Sequence, residues 1–257
     1  MNLNRKQSLI TSVEKAGISS TLPMSTLNGK RETTVAKLST RPGLSSANII
    51  AACEDSLRRL QTDYIDIYYA HEDDLTTPLG ETLEAFNNLV QQGKVRYIAA
   101  SNYSSDRLSQ ALAISKEKNF ASYIGVQDWY NLLDRKEYEE GNAKLVVEKN
   151  LASMPFFGLA RGFLSGKYQP NQLVESVRAG GVTNYQNERG WETVNALKKI
   201  SEKHSSSVAA IALAWLRAQP SVSVPIASAR TVEQLNEIMQ IVELQPEEIA
   251  LLSDITK

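Results

Sequence analysis

Cysteine and histidine are scarce in this chain of 257 residues, which holds one cysteine and two histidines. A single cysteine excludes an internal disulfide and fits a reducing compartment, so we expect a cytoplasmic protein. Because the two histidines are far apart and have no cysteine nearby, the sequence contains no cluster with the ligand spacing of a zinc site, and we expect no metal. We interpret Cys53, within a helix-like stretch, as a small apolar core residue rather than a nucleophile.

An excess of charge and a long apolar run are absent as well. The 28 basic and 29 acidic residues give a net charge of -1, so nothing favours nucleic acid or an anionic membrane as a partner. No apolar run approaches the roughly 20 residues that a membrane-spanning helix needs. The first residues, MNLNRKQSLITSVEKAGISS, lack the apolar core of a secretory signal.

What the chain does contain is an alternation of short β-rich runs and helical patterns. The first five runs begin about 30 residues apart, the size of one βαβ unit. Between them, apolar residues recur at three- and four-residue steps, as in SANIIAACEDSLRRLQ. This alternation predicts a parallel sheet within one domain, residues 1–257. The runs are TTVAKL (33–38), YIDIYYA (64–70), VRYIAAS (95–101), YIGVQD (123–128), ASMPFF (152–157) and VSVPIAS (222–228).

Two architectures fit this alternation: an open doubly wound sheet and a closed (β/α)₈ barrel. The glycine-rich fingerprint G-x-G-x-x-G of a Rossmann fold does not follow the first run. Polar residues instead stand at or after the end of nearly every run. In a barrel these ends converge on the face where active sites are built, which favours the barrel. The polar residues are Lys37, His71, Ser101, Asn102, Gln127, Asp128, Arg161, Ser228 and Arg230.

Four stretches resemble the aldo-keto reductases, which are NADP-dependent (β/α)₈ barrel enzymes. GLSSANIIAACEDSLRRLQTDYIDIYYAH resembles the family's third helix and fourth strand, and GKVRYIAASNYS its fifth strand. PFFGLARGFLSGKY resembles the loop after its seventh strand, and VPIASARTVEQLNE its eighth strand and phosphate-binding helix. The resemblance covers residues 27–257. It implies an α/β barrel of the TIM type and an oxidoreductase that reduces small aldehydes or ketones with NADP.

The beginning of the chain departs from the family pattern. The family places about two βα units before the stretch that TTVAK matches, and here only 32 residues precede Thr33. Two units need roughly 60 residues, so we expect an incomplete barrel with six of eight βα units and an atypical segment at residues 1–26. Unpaired sheet edges would then favour self-association.

The resemblance implies two catalytic residues, Lys37 and His71. In the family, the lysine lowers the pKa of a tyrosine that protonates the carbonyl oxygen, and the histidine orients the carbonyl. The family's catalytic tyrosine and aspartate have no counterparts at matched positions. Since a positioned acid contributes about 10²–10⁴-fold, we expect weak activity or none. The alternative is a non-catalytic relic or NADP-binding module of the same fold.

The resemblance also implies where the cofactor binds. Ser101, Asn102 and Gln127 would face the nicotinamide carboxamide, and the phenyl ring of Phe156 would stack on the nicotinamide. Arg230 would hold the 2′-phosphate of NADP, an anion that suits a guanidinium group. The remaining predicted cofactor residues are Gly158, Leu159, Arg161 and Gly162 in the loop over the pyrophosphate, and Ser228, Gln234 and Glu237 on the adenosine side.

Overall fold

Residues 43–170 and 181–257 are described by the computed structural model. Lys37 and the β-rich run 33–38 therefore lie outside the described residues. The chain divides into two units, a first that ends at Gly125 and a second, Val126–Lys257. That the whole chain forms one domain stays a prediction.

The first unit alternates helices and strands as the sequence predicts. Strands β1 and β2 are parallel, with Ile65 opposite Val95 and Ala70 opposite Ala100, so both strands end at the same edge of the sheet. Strand β3 begins in this unit beside β2 and ends in the second unit. The elements are α1 (Ser46–Leu60), β1 (Ile65–Ala70), α2 (Leu79–Gln91), β2 (Val95–Ser101), α3 (Ser105–Lys118) and β3 (Tyr123–Gln127).

Local sequence explains where the helices of the first unit begin, end and pack. Ser104 caps α3, because its hydroxyl accepts a hydrogen bond from the Arg107 backbone N–H at 3.3 Å. Helix α1 ends where Gln61 adopts a left-handed conformation with φ 53°. Its buried face includes Cys53, which is fully buried. Burial raises the pKa of this thiol to about 11, which fits a core residue rather than a nucleophile.

The second unit contains the end of β3, a short strand β4 and six helices among its described residues. Helix α7 packs at the centre, since every residue from Ala209 to Leu216 is buried. The Trp215 indole donates to the Ser253 hydroxyl in α9 at 3.0 Å. The elements are α4 (Lys136–Glu140), α5 (Asn142–Glu148), β4 (Ala152–Ser153), 3₁₀ helices at Ala160–Ser165 and Thr183–Tyr185, α6 (Glu188–Lys203), α7 (Val208–Arg217), α8 (Val232–Ile238) and α9 (Pro246–Ile255).

The last two predicted strands are wrong in extent. The run 152–157 is a strand only at Ala152–Ser153, and the run 222–228 forms no regular strand. It still lies beside the earlier run, because the Ser223 and Val224 N–H groups donate to the Ser153 carbonyl at 2.9 and 3.2 Å, and Ile226 donates to Pro155 at 2.8 Å. Each run contains a proline, which lacks the N–H that a regular ladder needs.

No helix in the described part of the chain is both long enough and apolar enough to span a membrane.

Candidate functional site

The predicted residues after β1 and β2 lie together. His71 directly follows β1 and is exposed, and Asn102 directly follows β2. The Asn102 side-chain amide donates to the His71 backbone carbonyl at 3.0 Å and to the Ser101 hydroxyl at 3.1 Å. The parallel register explains this cluster, since it places Ala70 opposite Ala100, just before these residues.

The backbone conformation of Asn102 is unusual and helps to fix the position of its side chain. Asn102 has φ 56°, a left-handed conformation that asparagine tolerates better than most residues. The next residue, Tyr103, is buried, and its hydroxyl lies 3.3 Å from that of Tyr123. Burial raises the pKa of Tyr103 to about 12, which makes it a weaker proton donor than a free tyrosine. This tyrosine is therefore a poor candidate for a general acid.

The carboxylates after His71 have structural partners. Arg107 Nε donates to both carboxylate oxygens of Asp73, at 2.9 and 3.1 Å. Asp74 accepts hydrogen bonds from the Thr76 and Thr77 hydroxyls at 2.6 and 2.7 Å and from the Leu44 N–H at 2.8 Å. These hydrogen bonds hold the pKa of Asp74 well below its usual range. Both carboxylates thus stabilise the loop that begins at His71.

A metal-binding cluster is not found in the ranges 43–170 and 181–257. These residues include no group of three or more histidine, cysteine, aspartate or glutamate side chains that could hold a metal ion.

In the second unit, β3 ends in two buried polar residues, Gln127 and Asp128. The Asp128 carboxylate accepts a hydrogen bond from the Asn142 side chain at 3.0 Å, and its backbone carbonyl accepts one from the Phe156 N–H at 3.0 Å. The Phe156 ring, predicted to stack on the nicotinamide, lies 6.1 Å from the Trp129 ring, centroid to centroid.

The predicted pyrophosphate loop has an unusual backbone. Phe157, Ala160 and Arg161 have φ values of 55°, 47° and 57°, and Gly162 has 97°. Left-handed conformations are costly for residues other than glycine, and such strain concentrates in ligand-binding loops. The loop is anchored where the Asn131 side-chain amide donates to the Phe157 carbonyl at 3.0 Å. Leu159 lies inside this strained segment and packs partly buried against the core.

Gly158, in the same loop, makes a close approach to helix α7. A Cβ atom at this position would lie 2.9 Å from Leu216 Cδ1 and 3.2 Å from Leu213 Cδ2. The absence of a side chain therefore allows the loop to pack directly against the core.

Arg161 is a partly buried cation held by aromatic rings. Its guanidinium carbon lies 4.3 Å from the Phe157 ring centroid and 5.0 Å from that of Trp129. Within the residues that the structure describes, no carboxylate lies within 4.0 Å of its guanidinium nitrogens. The arrangement suits an anionic ligand, because a guanidinium over aromatic rings keeps its positive charge and its fork of N–H donors matches a phosphate.

The predicted adenosine-side residues are exposed. The Arg230 backbone N–H donates to the Gln234 side-chain carbonyl at 3.0 Å. The Thr231 hydroxyl caps α8 and accepts a hydrogen bond from the Gln234 N–H at 3.3 Å. Ser228 and Glu237 are likewise exposed and lie before and within this helix.

Sequence reasoning missed a cluster around Asp134. One carboxylate oxygen of Asp134 accepts hydrogen bonds from Trp129 Nε1 at 2.9 Å, from Asn131 Nδ2 at 2.7 Å and from the Tyr185 hydroxyl at 2.6 Å. The only local signal was a polar pair, Asn131 and Asp134, shortly after a strand end. Tyr185 stands 51 residues further along the chain, so no local pattern connects it to Asp134.

Parallel strands alternating with helices, with polar side chains after the strand ends, define an α/β protein of the type that forms (β/α) barrels. The sequence model of the aldo/keto reductase family matches residues 27–257. The chain therefore belongs to the aldo-keto reductase family, which confirms the expected family and fold class.

The chain is similar to several curated and solved proteins. It is 32% identical over 220 residues to an aldo-keto reductase of Fusarium vanettenii, covering 83% of this chain and 58% of the relative. It is 31% identical over 211 residues to a probable voltage-gated potassium channel subunit beta of Oryza sativa subsp. japonica, covering 79% and 64%. The chain thus spans about three fifths of the length of these relatives.

A solved structure is similar as well. The crystal structure of a thermostable aldo-keto reductase in complex with the inhibitor epalrestat matches with a TM-score of 0.66 and 28% identity. The match covers 82% of this chain and 67% of that one. How many of the eight βα units this chain supplies stays a prediction.

Proposed function

We propose that this chain binds NADP and reduces aldehydes or ketones by hydride transfer. When bound, NADPH would supply a hydride for the carbonyl carbon, and a proton donor would protonate the carbonyl oxygen. The observation that carries the proposal is the cluster of His71, Ser101 and Asn102 after two neighbouring parallel strands. Family membership supports it, and by resemblance of the surrounding stretches these residues correspond to the family's histidine and Ser-Asn pair.

In the first unit, Ser101 and Asn102 would bind the nicotinamide carboxamide through their hydroxyl and amide groups. The Asn102 amide is anchored to the His71 backbone carbonyl, which leaves the exposed His71 imidazole to donate a hydrogen bond to the substrate oxygen. By resemblance, Lys37 would lower the pKa of a proton donor, and that donor is not identified in this chain.

In the second unit, Gln127 and Phe156 would bind the nicotinamide, and the loop from Gly158 to Gly162 would bind the pyrophosphate. The donor set fits such a ligand, because Arg161 is partly buried and has no carboxylate at ion-pair distance among the described residues. NADP rather than NAD is proposed because Arg230 is exposed beside α8 and available for a 2′-phosphate.

The alternative function is a non-catalytic NADP-binding module. It is favoured by the expectation from the sequence that the family's catalytic tyrosine and aspartate have no counterparts at matched positions. In that case the chain binds NADPH and does not oxidise it.

We also propose that the chain self-associates. Support comes from the apolar side chains of Val232 and Ile241, which are 67% and 71% exposed. Sedimentation velocity at low and high protein concentration measures this directly, and a monomer at both concentrations contradicts it.

Two histidine variants, one at the candidate site and one as a control, test whether the chain catalyses the reaction. NADPH binding is measured by fluorescence titration, and turnover by NADPH consumption with a panel of aldehydes and ketones. We expect His71→Ala to lower kcat by about 10²–10³-fold while NADPH affinity is unchanged, since the imidazole acts on the substrate oxygen. The matched control is His204→Gln. His204 is the other histidine of the chain, its ring contacts Glu248 at 2.9 Å, and it has no proposed role in catalysis.

The outcomes separate the two functions. NADPH binding without turnover by the unmodified chain supports the binding module, and the absence of NADPH binding contradicts both functions. Turnover that His71→Ala leaves unchanged removes the histidine from the mechanism.

A further inference from the structure

Three segments of the second unit meet at a connected group of side chains that we call the Asp134 network: Trp129, Asn131, Asp134, Arg161 and Tyr185. Asp134 accepts hydrogen bonds from three donors, one of which is the Tyr185 hydroxyl at 2.6 Å. Trp129 contributes twice, because its indole N–H donates to Asp134 and its ring supports the Arg161 guanidinium. The network thus joins the segment after β3, the pyrophosphate loop and the second 3₁₀ helix.

Arg161 is restrained from several directions. Its guanidinium carbon lies over the Phe157 and Trp129 rings, and a Cβ atom on Gly181 would lie 2.9 Å from Arg161 Cδ. Arg161 also acts on the Tyr185 hydroxyl: burial and then Asp134 raise the pKa of Tyr185, and Arg161 opposes them. The Tyr185 hydroxyl therefore stays protonated at neutral pH, with its O–H directed to Asp134.

We infer that Asp134 and Tyr185 are positioning residues that hold the Arg161 guanidinium ready for an anionic ligand. On the function proposed above, that ligand is the pyrophosphate of the dinucleotide, and the inference rests on that function. A guanidinium that is already ordered loses less conformational entropy when it binds, so the same hydrogen bonds give a tighter complex.

Arg161 makes no direct ion pair with Asp134, and this affects the positive charge that Arg161 presents to a ligand. A carboxylate in direct contact would neutralise Arg161 and compete with a phosphate for its N–H donors. Here the shortest contact of Asp134 is to the Tyr185 hydroxyl, at 2.6 Å, and no ion pair joins Asp134 to Arg161. Arg161 is thereby oriented while its positive charge stays available to the ligand.

A double-mutant cycle tests the inference. Dissociation constants for NADPH are measured by fluorescence titration for the unmodified chain, Tyr185→Phe, Arg161→Ala and the double variant. We expect Tyr185→Phe to raise the constant about three- to tenfold, the effect of one hydrogen bond. In the Arg161→Ala background the same substitution should add less than about 1.5-fold, because its effect passes through Arg161.

Reduced nicotinamide mononucleotide, which lacks the pyrophosphate, provides a second measurement. Tyr185→Phe should leave its dissociation constant unchanged. A merely structural role of Tyr185 would weaken both ligands alike and in both backgrounds. Asp134→Asn, which keeps the shape of the side chain and removes its charge, should act in the same direction as Tyr185→Phe and replaces it if that variant does not fold.

The matched control is Tyr168→Phe. Tyr168 is also buried, and its ring centroid lies 6.0 Å from that of Phe163, compared with 5.8 Å for the Tyr185 ring. We expect it to leave NADPH affinity unchanged. Equal effects of Tyr185→Phe in both backgrounds would overturn the positioning role. The proposed function would still stand in that case, provided that the unmodified chain binds NADPH. Absence of NADPH binding by the unmodified chain overturns both.

Discussion

Two arginines of the second unit are proposed to bind the anionic groups of the cofactor, and their surroundings differ. Arg161 is partly buried against aromatic rings, whereas Arg230 is exposed at the start of α8. An exposed charge is screened by salt more strongly than a partly buried one. We therefore expect the contribution of Arg230 to fall with ionic strength and that of Arg161 to persist.

Removing Arg230 should change the choice of cofactor. Arg230→Ala is expected to raise the dissociation constant for NADPH about 10- to 100-fold, the effect of losing hydrogen bonds to a charged group. The dissociation constant for NADH, which has no 2′-phosphate, should be unchanged. Fluorescence titration of both cofactors measures this, with Lys199→Ala, an exposed lysine of α6, as the control for loss of one positive charge. An equal loss of affinity for NADH and NADPH would contradict a contact between Arg230 and the 2′-phosphate.

Adding one methyl group at Gly158 should destabilise the second unit. In Gly158→Ala the new Cβ would lie 2.9 Å from the buried Leu216 side chain, and such overpacking costs about 1–3 kcal/mol. The control is Gly80→Ala in α2, where the nearest atom to a Cβ would be Lys118 Nζ at 3.7 Å. For Gly80→Ala we expect the free energy of unfolding to stay unchanged or to rise by up to about 1 kcal/mol, because alanine favours the helix more than glycine does. Urea unfolding measures both, and equal changes would contradict the prediction.

At the scale of the elements, periodic patterns predicted most of the first unit. Strand β2 has the bounds of its β-rich run, and α3 begins after the cap residue Ser104. The pattern was less informative where prolines interrupt hydrogen bonding: Pro155 and Pro225 stand in apolar β-rich runs, yet the runs meet through three backbone hydrogen bonds rather than a regular ladder.

Some contacts of the candidate site could be predicted from the sequence, and others could not. His71 and Asn102 could be predicted from the ends of two strands, since parallel pairing brings such ends together. The contact between Asp134 and Tyr185 could not, because it depends on how distant segments pack.

Helix α9 begins with a capping arrangement that links it to the end of α6. The Glu248 carboxylate accepts hydrogen bonds from Lys203 Nζ at 2.7 Å and from the Gln245 backbone N–H at 2.9 Å, and it contacts His204 Nε2 at 2.9 Å. Burial opposes ionisation of this carboxyl, but the hydrogen bonds outweigh it and lower its pKa to about 2. Ionised Glu248 therefore stabilises the junction of the two helices.

This capping arrangement predicts acid sensitivity. The pKa of Glu248 is about 2 in the folded chain against 4.5 ordinarily, so its contribution is complete above pH 4.5 and is lost as the pH falls towards 2. Glu248→Gln should lower the free energy of unfolding at pH 7 by about 1–3 kcal/mol and flatten its dependence on pH in that window. Glu247→Gln, an exposed neighbour in the same turn, is the control. Urea unfolding between pH 7 and pH 2 measures both, and parallel pH profiles would contradict the assignment.

At the scale of the whole chain, one strand belongs to both units. Strand β3 runs from Tyr123 to Gln127, and the boundary between the units falls after Gly125. If the second unit unfolds, the first therefore loses the continuation of one of its own strands. The prediction that the whole chain forms a single domain implies one cooperative unfolding transition.

The tryptophans make that prediction measurable. The chain has three, Trp129, Trp191 and Trp215, and all lie in the second unit, so indole fluorescence reports on that unit, whereas far-UV circular dichroism reports on helices of both. We expect the two signals to follow one coincident transition on heating or in urea, because a strand shared between the units cannot persist in half. The single-domain prediction fails if the fluorescence transition is separated from the circular dichroism transition, since that would mean that the first unit keeps its helices after the second has unfolded.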